Sequence, residues 1–181
     1  MELPPTYGAA HLFIDAHVDA GRGEHLAYID RRRALSYHGL QQASLRARGL
    51  MRELGLRQED RVAVLMQDTV DWPIVFWGAL RAGVVPVALN TLLSAEVYGY
   101  ILADCRARAL FVSAALLSEV RPLLSSLPHL EQVVVVDGSE DDLGGLPLPA
   151  RDLGAALEAA PSAGVDAPTH ADEVAFWLYS S

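Results

Sequence analysis

The sequence contains no lysine, so all 14 basic residues are arginines. A phosphate-loop lysine, a Schiff-base lysine and a lysine electrophile are therefore excluded within these residues. One cysteine, Cys105, excludes an internal disulfide and a multi-thiolate metal site. It falls on the apolar stripe of an expected helix and reads as a core residue. No apolar run approaches the roughly 20 residues needed to span a bilayer. The opening Met1-Glu2-Leu3-Pro4-Pro5 lacks the basic and apolar regions of a secretory signal, so a cytoplasmic protein is expected. A net charge of −9 with dispersed arginines argues against nucleic acid.

Several catalytic patterns are also missing. There is no GxGxxG, GxxxxGK[ST], GxSxG or CxxC, and the six histidines form no HxH or HxxxH pair. His11, Asp15 and His17 lie close in sequence, but a polar helix face explains them better than a metal site. The adjacent acids Asp141-Asp142 and Asp172-Glu173 read as loop charge. Arg31-Arg32-Arg33 reads as a solvated hairpin tip, and Trp72, Phe76 and Trp77 as core or subunit contact.

What is present is periodicity. Residues 1–10 read as an irregular lead-in, followed by a short amphipathic helix over 10–20. Leu26–Asp30 and Ala34–Tyr37 flank the arginines as a hairpin. Leu40, Ala43, Ala47, Leu50, Met51 and Leu54 recur at helical spacing, with Ser36 as N-cap and Gly55 as terminator. Apolar runs at 61–66, 84–89, 110–112 and 133–136 predict buried strands. Helices are expected between them: one capped by Asp68 or Asp71 and ending at Gly83, one capped by Ser94, and one over about 114–124. The second of these has Val97, Tyr98, Ile101, Leu102 and Cys105 as its apolar side. Strands alternating with helices of this length mean βαβ units and a parallel sheet.

Residues 137–171 turn acidic and rich in Gly and Pro around a short Ala-rich helix over Leu153–Ala160, and read as a surface excursion rather than a domain boundary. Residues 172–181 read as a strand, and a parallel strand without a following helix reads as a cut ending.

Certain segments together resemble the adenylate-forming (AMP-binding) superfamily. They are Ala34-Leu35-Ser36-Tyr37, Gly55-Leu56, Asp60–Val64, Asp71-Trp72-Pro73, the block from Ala79 through Gly83-Val84-Val85-Pro86-Val87 to Asn90, and Phe176–Ser181. Asp71-Trp72-Pro73, Asn90–Leu93 and Thr169–Asp172 most resemble benzoate–CoA and other aryl-CoA ligases. The resemblance implies an α/β fold: a parallel βαβ sheet subdomain of the family's large N-terminal domain, with a short β-hairpin near its start. It implies that 1–181 is a truncated N-terminal domain: hairpin plus βαβ core over 1–136, the excursion over 137–171, and over 172–181 a strand entering the family's phosphate loop.

The activity so implied is a two-step ligation. A carboxylic acid, aromatic and benzoate-like, attacks the α-phosphate of Mg2+-ATP to give an acyl-adenylate, and the thiol of CoA then displaces AMP. Ser180 and Ser181 match the start of the ATP phosphate loop; no catalytic residue and no metal ligand falls within the fragment, which by itself is expected to be inactive. Expected partners are the small-molecule acid, ATP and CoA, and a second copy in a homodimer, with neither nucleic acid nor membrane. Two rival readings stand beside this one: an adenylation domain loading a carrier protein, and a non-catalytic α/β association module. Two departures from the family pattern stand out. Gly39 replaces an acidic residue that would complete a capping box with Ser36. Leu92 stands where some aryl-CoA ligases carry an arginine for the CoA phosphate.

Overall fold

A computed structural model describes residues 8–179. The lead-in before Gly8 and the loop residues Ser180 and Ser181 lie outside the described residues.

Six parallel strands make the main sheet, in the order β7-β6-β5-β3-β4-β8. They are β3 (Arg61–Leu65), β4 (Val85–Ala88), β5 (Ala109–Ser113), β6 (Gln132–Val136), β7 (Ala150–Asp152) and β8 (Trp177–Leu178). A separate antiparallel hairpin pairs β1 (Leu26–Ile29) with β2 (Ala34–Ser36). The expected parallel α/β sheet and hairpin are both present.

Alternation along the strands sorts the core into two layers. Val62, Val64, Phe111 and Val134 pack on one face under α1 (Tyr37–Glu53), α2 (Asp71–Ala82) and α6 (Leu153–Ala159). Ala63, Leu65, Leu110, Val133 and Val135 pack on the other under α3 (Ala95–Asp104) and α4 (Leu117–Val120). Helices α1 and α2 cross closely, because a Cβ on Gly78 would stand 2.3 Å from the Cβ of Ala47.

Ser36 and Ser94 cap α1 and α3 as expected, accepting from the backbone N–H groups of Gly39 and Val97. Helix α2 differs. Its N-cap is Val70, with no side-chain cap of its own. The Val70 N–H instead reaches Asp30 Oδ2 on the hairpin at 2.9 Å, and Asp71 pairs with Arg33. A tertiary carboxylate has displaced the local ones.

Other expectations shift for local reasons. The helix read over 10–20 is present and runs over 9–22, with π-type segments at His11–Asp15 and Val18–Arg22 and Gly21 at φ 74°. The helix read over 114–124 splits into 3-10 turns around α4, where Pro122 removes an amide donor. Val97 is 39% exposed, although Tyr98, Ile101, Leu102 and Cys105 are buried as expected. The 137–171 stretch is not wholly a surface excursion: it includes α5 (Glu140–Leu143), β7 pairs with β6, and α6 buries Leu153 and Ala156.

Pro86 shapes the β4 edge. The N–H groups of Val85 and Leu89 bond to Asp60 and Val64 on the β3 side. By the alternation of a parallel ladder, the missing N–H of Pro86 falls on the β8 side. The ladder with β8 accordingly holds only Val87↔Trp177 and Ala88↔Leu178.

Candidate functional site

In an open parallel sheet, ligands gather at the carboxyl ends of the strands, most readily where adjacent connections leave to opposite faces. Strands β3 and β5 are such neighbours, since α2 follows β3 on one face and α4 follows β5 on the other. Their carboxyl ends are tied together: Ser113 Oγ, on a residue only 5% exposed, accepts the Gln67 N–H at 3.0 Å. The hairpin tip lies over this point. Arg32 Nη1 donates to Asp137 Oδ1 at 2.9 Å, and Arg33 pairs with Asp71. The arginine run is therefore not a freely solvated tip, although Arg32 and Arg33 keep about half their side chains in water. Between hairpin and sheet runs an open groove of about 820 Å3. Asp30, Asp68 and Asp137 share it with Arg31 and Arg32, so the charges offset and the groove is no phosphate cradle.

The second carboxyl-end feature is the turn after β4, beside β8. Tyr98 is fully buried, and its hydroxyl donates to the Asn90 carbonyl at 2.9 Å while accepting the Leu93 N–H at 3.3 Å. Asn90 Oδ1 accepts the Leu92 N–H at 2.9 Å. The turn is thus held from below and from within, and it presents Leu92 at 89% exposure. Strand β8 runs alongside, and the chain leaves it at this same edge. Arg61 lies over the Trp177 ring, 5.8 Å from its centre. Tyr179 donates its hydroxyl to Asp104 Oδ2 at 2.6 Å. Burial, and then that carboxylate, push the phenol well above its usual range.

Among the residues singled out from sequence, Asp15 does not stand ready for a metal. Arg81 holds both of its oxygens, at 2.5 and 3.1 Å, and Gln41 donates to it at 3.0 Å. Burial alone would raise the Asp15 carboxyl, but these bonds outweigh it and hold the group below its usual range. His17 stacks on Tyr37 with ring centres 4.2 Å apart. The rings of Trp72, Phe76 and Trp77 form a half-buried cluster that also meets Phe13 and Phe176. Cys105 is 1% exposed, and burial raises its thiol. Among the described residues no group of three or more His, Cys, Asp or Glu could hold a metal ion, and no helix is long and apolar enough to cross a membrane.

Sequence reading missed the buried arginines. Arg48 and Arg81, 1% and 2% exposed, divide the two oxygens of Asp166 between them at 2.6 and 2.7 Å. Arg81 Nε also donates to Ser44 Oγ at 2.9 Å. By spacing, Arg48 falls off the apolar stripe of its helix, and the structure buries it all the same.

Comparison with known proteins follows this geometry. The family model described as AMP-binding enzyme matches residues 15–181. A 4-hydroxybenzoate–CoA/benzoate–CoA ligase of Rhodopseudomonas palustris is 43% identical over 97% of this chain and 31% of its own length. A benzoate–CoA ligase of Thauera aromatica is 38% identical over 100% of this chain and 33% of its own. Among solved structures, the anthranilate CoA ligase AuaEII in complex with anthranoyl-AMP superposes with a TM-score of 0.91 at 26% identity, over 100% of this chain and 34% of that one. A benzoate CoA ligase from Burkholderia xenovorans LB400 gives 0.82 at 34% identity, over 96% and 32%. The chain thus spans about a third of the length of the relatives it matches.

Proposed function

The chain belongs to the AMP-binding enzyme family, and we propose that it is the N-terminal part of an AMP-forming aryl-acid–CoA ligase. The 43% identity to a 4-hydroxybenzoate–CoA/benzoate–CoA ligase carries this reading. The whole enzyme activates a benzoate-like carboxylic acid with Mg2+-ATP to an acyl-adenylate and passes the acyl group to CoA. A carboxylate oxygen is a poor leaving group and AMP a much better one, which is why the acid is adenylated before the thiol attacks.

What the described residues supply toward the nucleotide is placement. Strand β8 delivers the chain to the carboxyl edge of the sheet beside the Asn90 turn. Ser180 and Ser181, which lie outside the described residues, follow directly and would open the loop that receives the ATP phosphates. A cytoplasmic setting agrees with the free, buried thiol of Cys105.

The test is a chimera in which this chain replaces the matching third of a benzoate–CoA ligase. We expect benzoate- and CoA-dependent release of AMP. A chimera that melts cooperatively but releases none with benzoate or its hydroxy and amino derivatives would overturn the reading.

A further inference from the structure

Not one residue from Pro161 to Tyr179 is buried, yet this stretch covers two arginines that are almost completely buried. Its attachments are sparse and mostly polar. Asp166 lies between Arg48 and Arg81. Arg48 Nη2 donates to the carbonyls of Ser162 and Ala163 at 2.7 and 3.0 Å, and Arg52 Nη2 to that of Val165 at 2.5 Å. The Ala167 N–H reaches the Arg81 carbonyl at 2.8 Å. Further along come Gln58 Nε2 to the Pro168 carbonyl at 3.2 Å and the Phe76–Phe176 ring contact. The far end is anchored: Trp177 and Tyr179 pack against the core, Arg61 lies over the Trp177 ring, and Tyr179 donates to Asp104 Oδ2 at 2.6 Å.

The packing beneath is uneven. Near its start the stretch lies directly on α1, where a Cβ on Gly49 would meet the Pro161 carbonyl at 2.0 Å. Past Pro168 it bridges a cavity of about 130 Å3 between Thr169–Ala175 and the Leu80–Val84 turn.

We propose that residues 161–175 form a strap that opens as one unit from a sheet that stays folded, with Asp166 as its latch. The physical ground is an asymmetry. Removing the strap exposes little apolar surface of its own, so burial holds it weakly. It does, however, break the charge-assisted bonds that two guanidinium groups make to their shared carboxylate. The strap is therefore fastened at Asp166, bridges the cavity loosely, and is tied down again only where β8 begins. Asp15 still faces Arg81 when the strap is open, so one arginine keeps a partner and the sheet keeps its fold.

Native-state hydrogen exchange on the full chain tests the strap without reference to activity. In the unmodified protein, the amides of Ala167 and Glu173 should exchange at least about tenfold faster than those of β3 and β5, and should respond little to low urea. In Asp166→Asn the strap amides should speed up by about 100-fold while β3, β5 and β6 amides change by less than about threefold. Strap amides as protected and as urea-sensitive as those of β3 would overturn the proposal even if the variant failed to fold. Unchanged strap amides in the variant, or uniform acceleration of all amides, would overturn it too.

Discussion

Asp30 and Val70 are joined across 40 positions: the carboxylate at the hairpin turn accepts the backbone N–H of the residue that opens α2. The same carboxylate also accepts the N–H groups of Arg33 and Arg32 at 2.8 and 2.7 Å. The bond from Val70, followed by those from Arg33 and Arg32, lowers the Asp30 carboxyl to about 2. A carboxyl held lower in the folded state than in the unfolded one stabilises above the unfolded value of 3.8. That contribution fades as pH falls toward 2. Hairpin docking should therefore weaken between about pH 4 and pH 2, and Asp30→Asn should show the weakened state already at pH 7. Exchange of the Val70 amide about tenfold faster in the variant is the expected reading; an unchanged rate would detach Asp30 from the start of α2.

Gly78→Ala should destabilise the protein by about 1–3 kcal/mol, because the new methyl would overlap Ala47 where α1 and α2 cross. Thermal melting should fall by a few degrees per kcal/mol for a chain of this size. Adding Ala47→Gly should recover part of the loss, and failure to recover any would mean that the two helices are not in contact there.

Tyr98→Phe keeps the ring and removes the hydroxyl that joins the Asn90 carbonyl to the Leu93 N–H. A loss of about 1–2 kcal/mol in urea unfolding is expected, with the slope unchanged. Exchange of the Leu93 amide should rise more than that of β3 amides, which locates the effect in the turn.

Gly39→Ala places a better helix former in the first turn of α1, worth up to about 1 kcal/mol. The new Cβ would stand 2.9 Å from Leu35 Cδ1, the far end of a flexible side chain that can turn aside. A rise in melting temperature is expected, and a fall would show that Leu35 cannot move.

Cys105 should react with a disulfide reagent at least about 100-fold more slowly in the folded chain than in urea, since the thiol is covered and burial disfavours its thiolate. Comparable rates would place it at the surface.

Much of the sheet was legible because its signal is local. The runs at 61–66 and 133–136 are apolar on both faces, and the serines at 36 and 94 precede their helices by the one position that lets a hydroxyl cap them. Edge elements were harder. Ala150–Asp152 is short and only partly buried, so β7 carries almost no pattern and is defined by the neighbour it pairs with. The ion pairs were hidden for another reason: Arg48 and Asp166 lie 118 positions apart, and neither residue type announces a partner at that distance. Ser180 and Ser181 read as the start of a motif and lie outside the described residues, whereas Tyr98, which the structure sets beneath the Asn90 turn, read only as an apolar helix position.

The pairing of β4 with β8 also bears on the order in which the protein is made. Trp177 leaves the ribosome about 90 residues after Val87, its partner, a delay of about 5–20 seconds at ordinary translation rates. During that interval the outer side of β4 has no neighbour, while β3, β5 and β6 can already assemble. Pro86 stands on that side without an N–H to offer, so a nascent β4 makes a poor template for a strand from another chain. The same proline that shortens the ladder with β8 thus guards the growing polypeptide until β8 arrives.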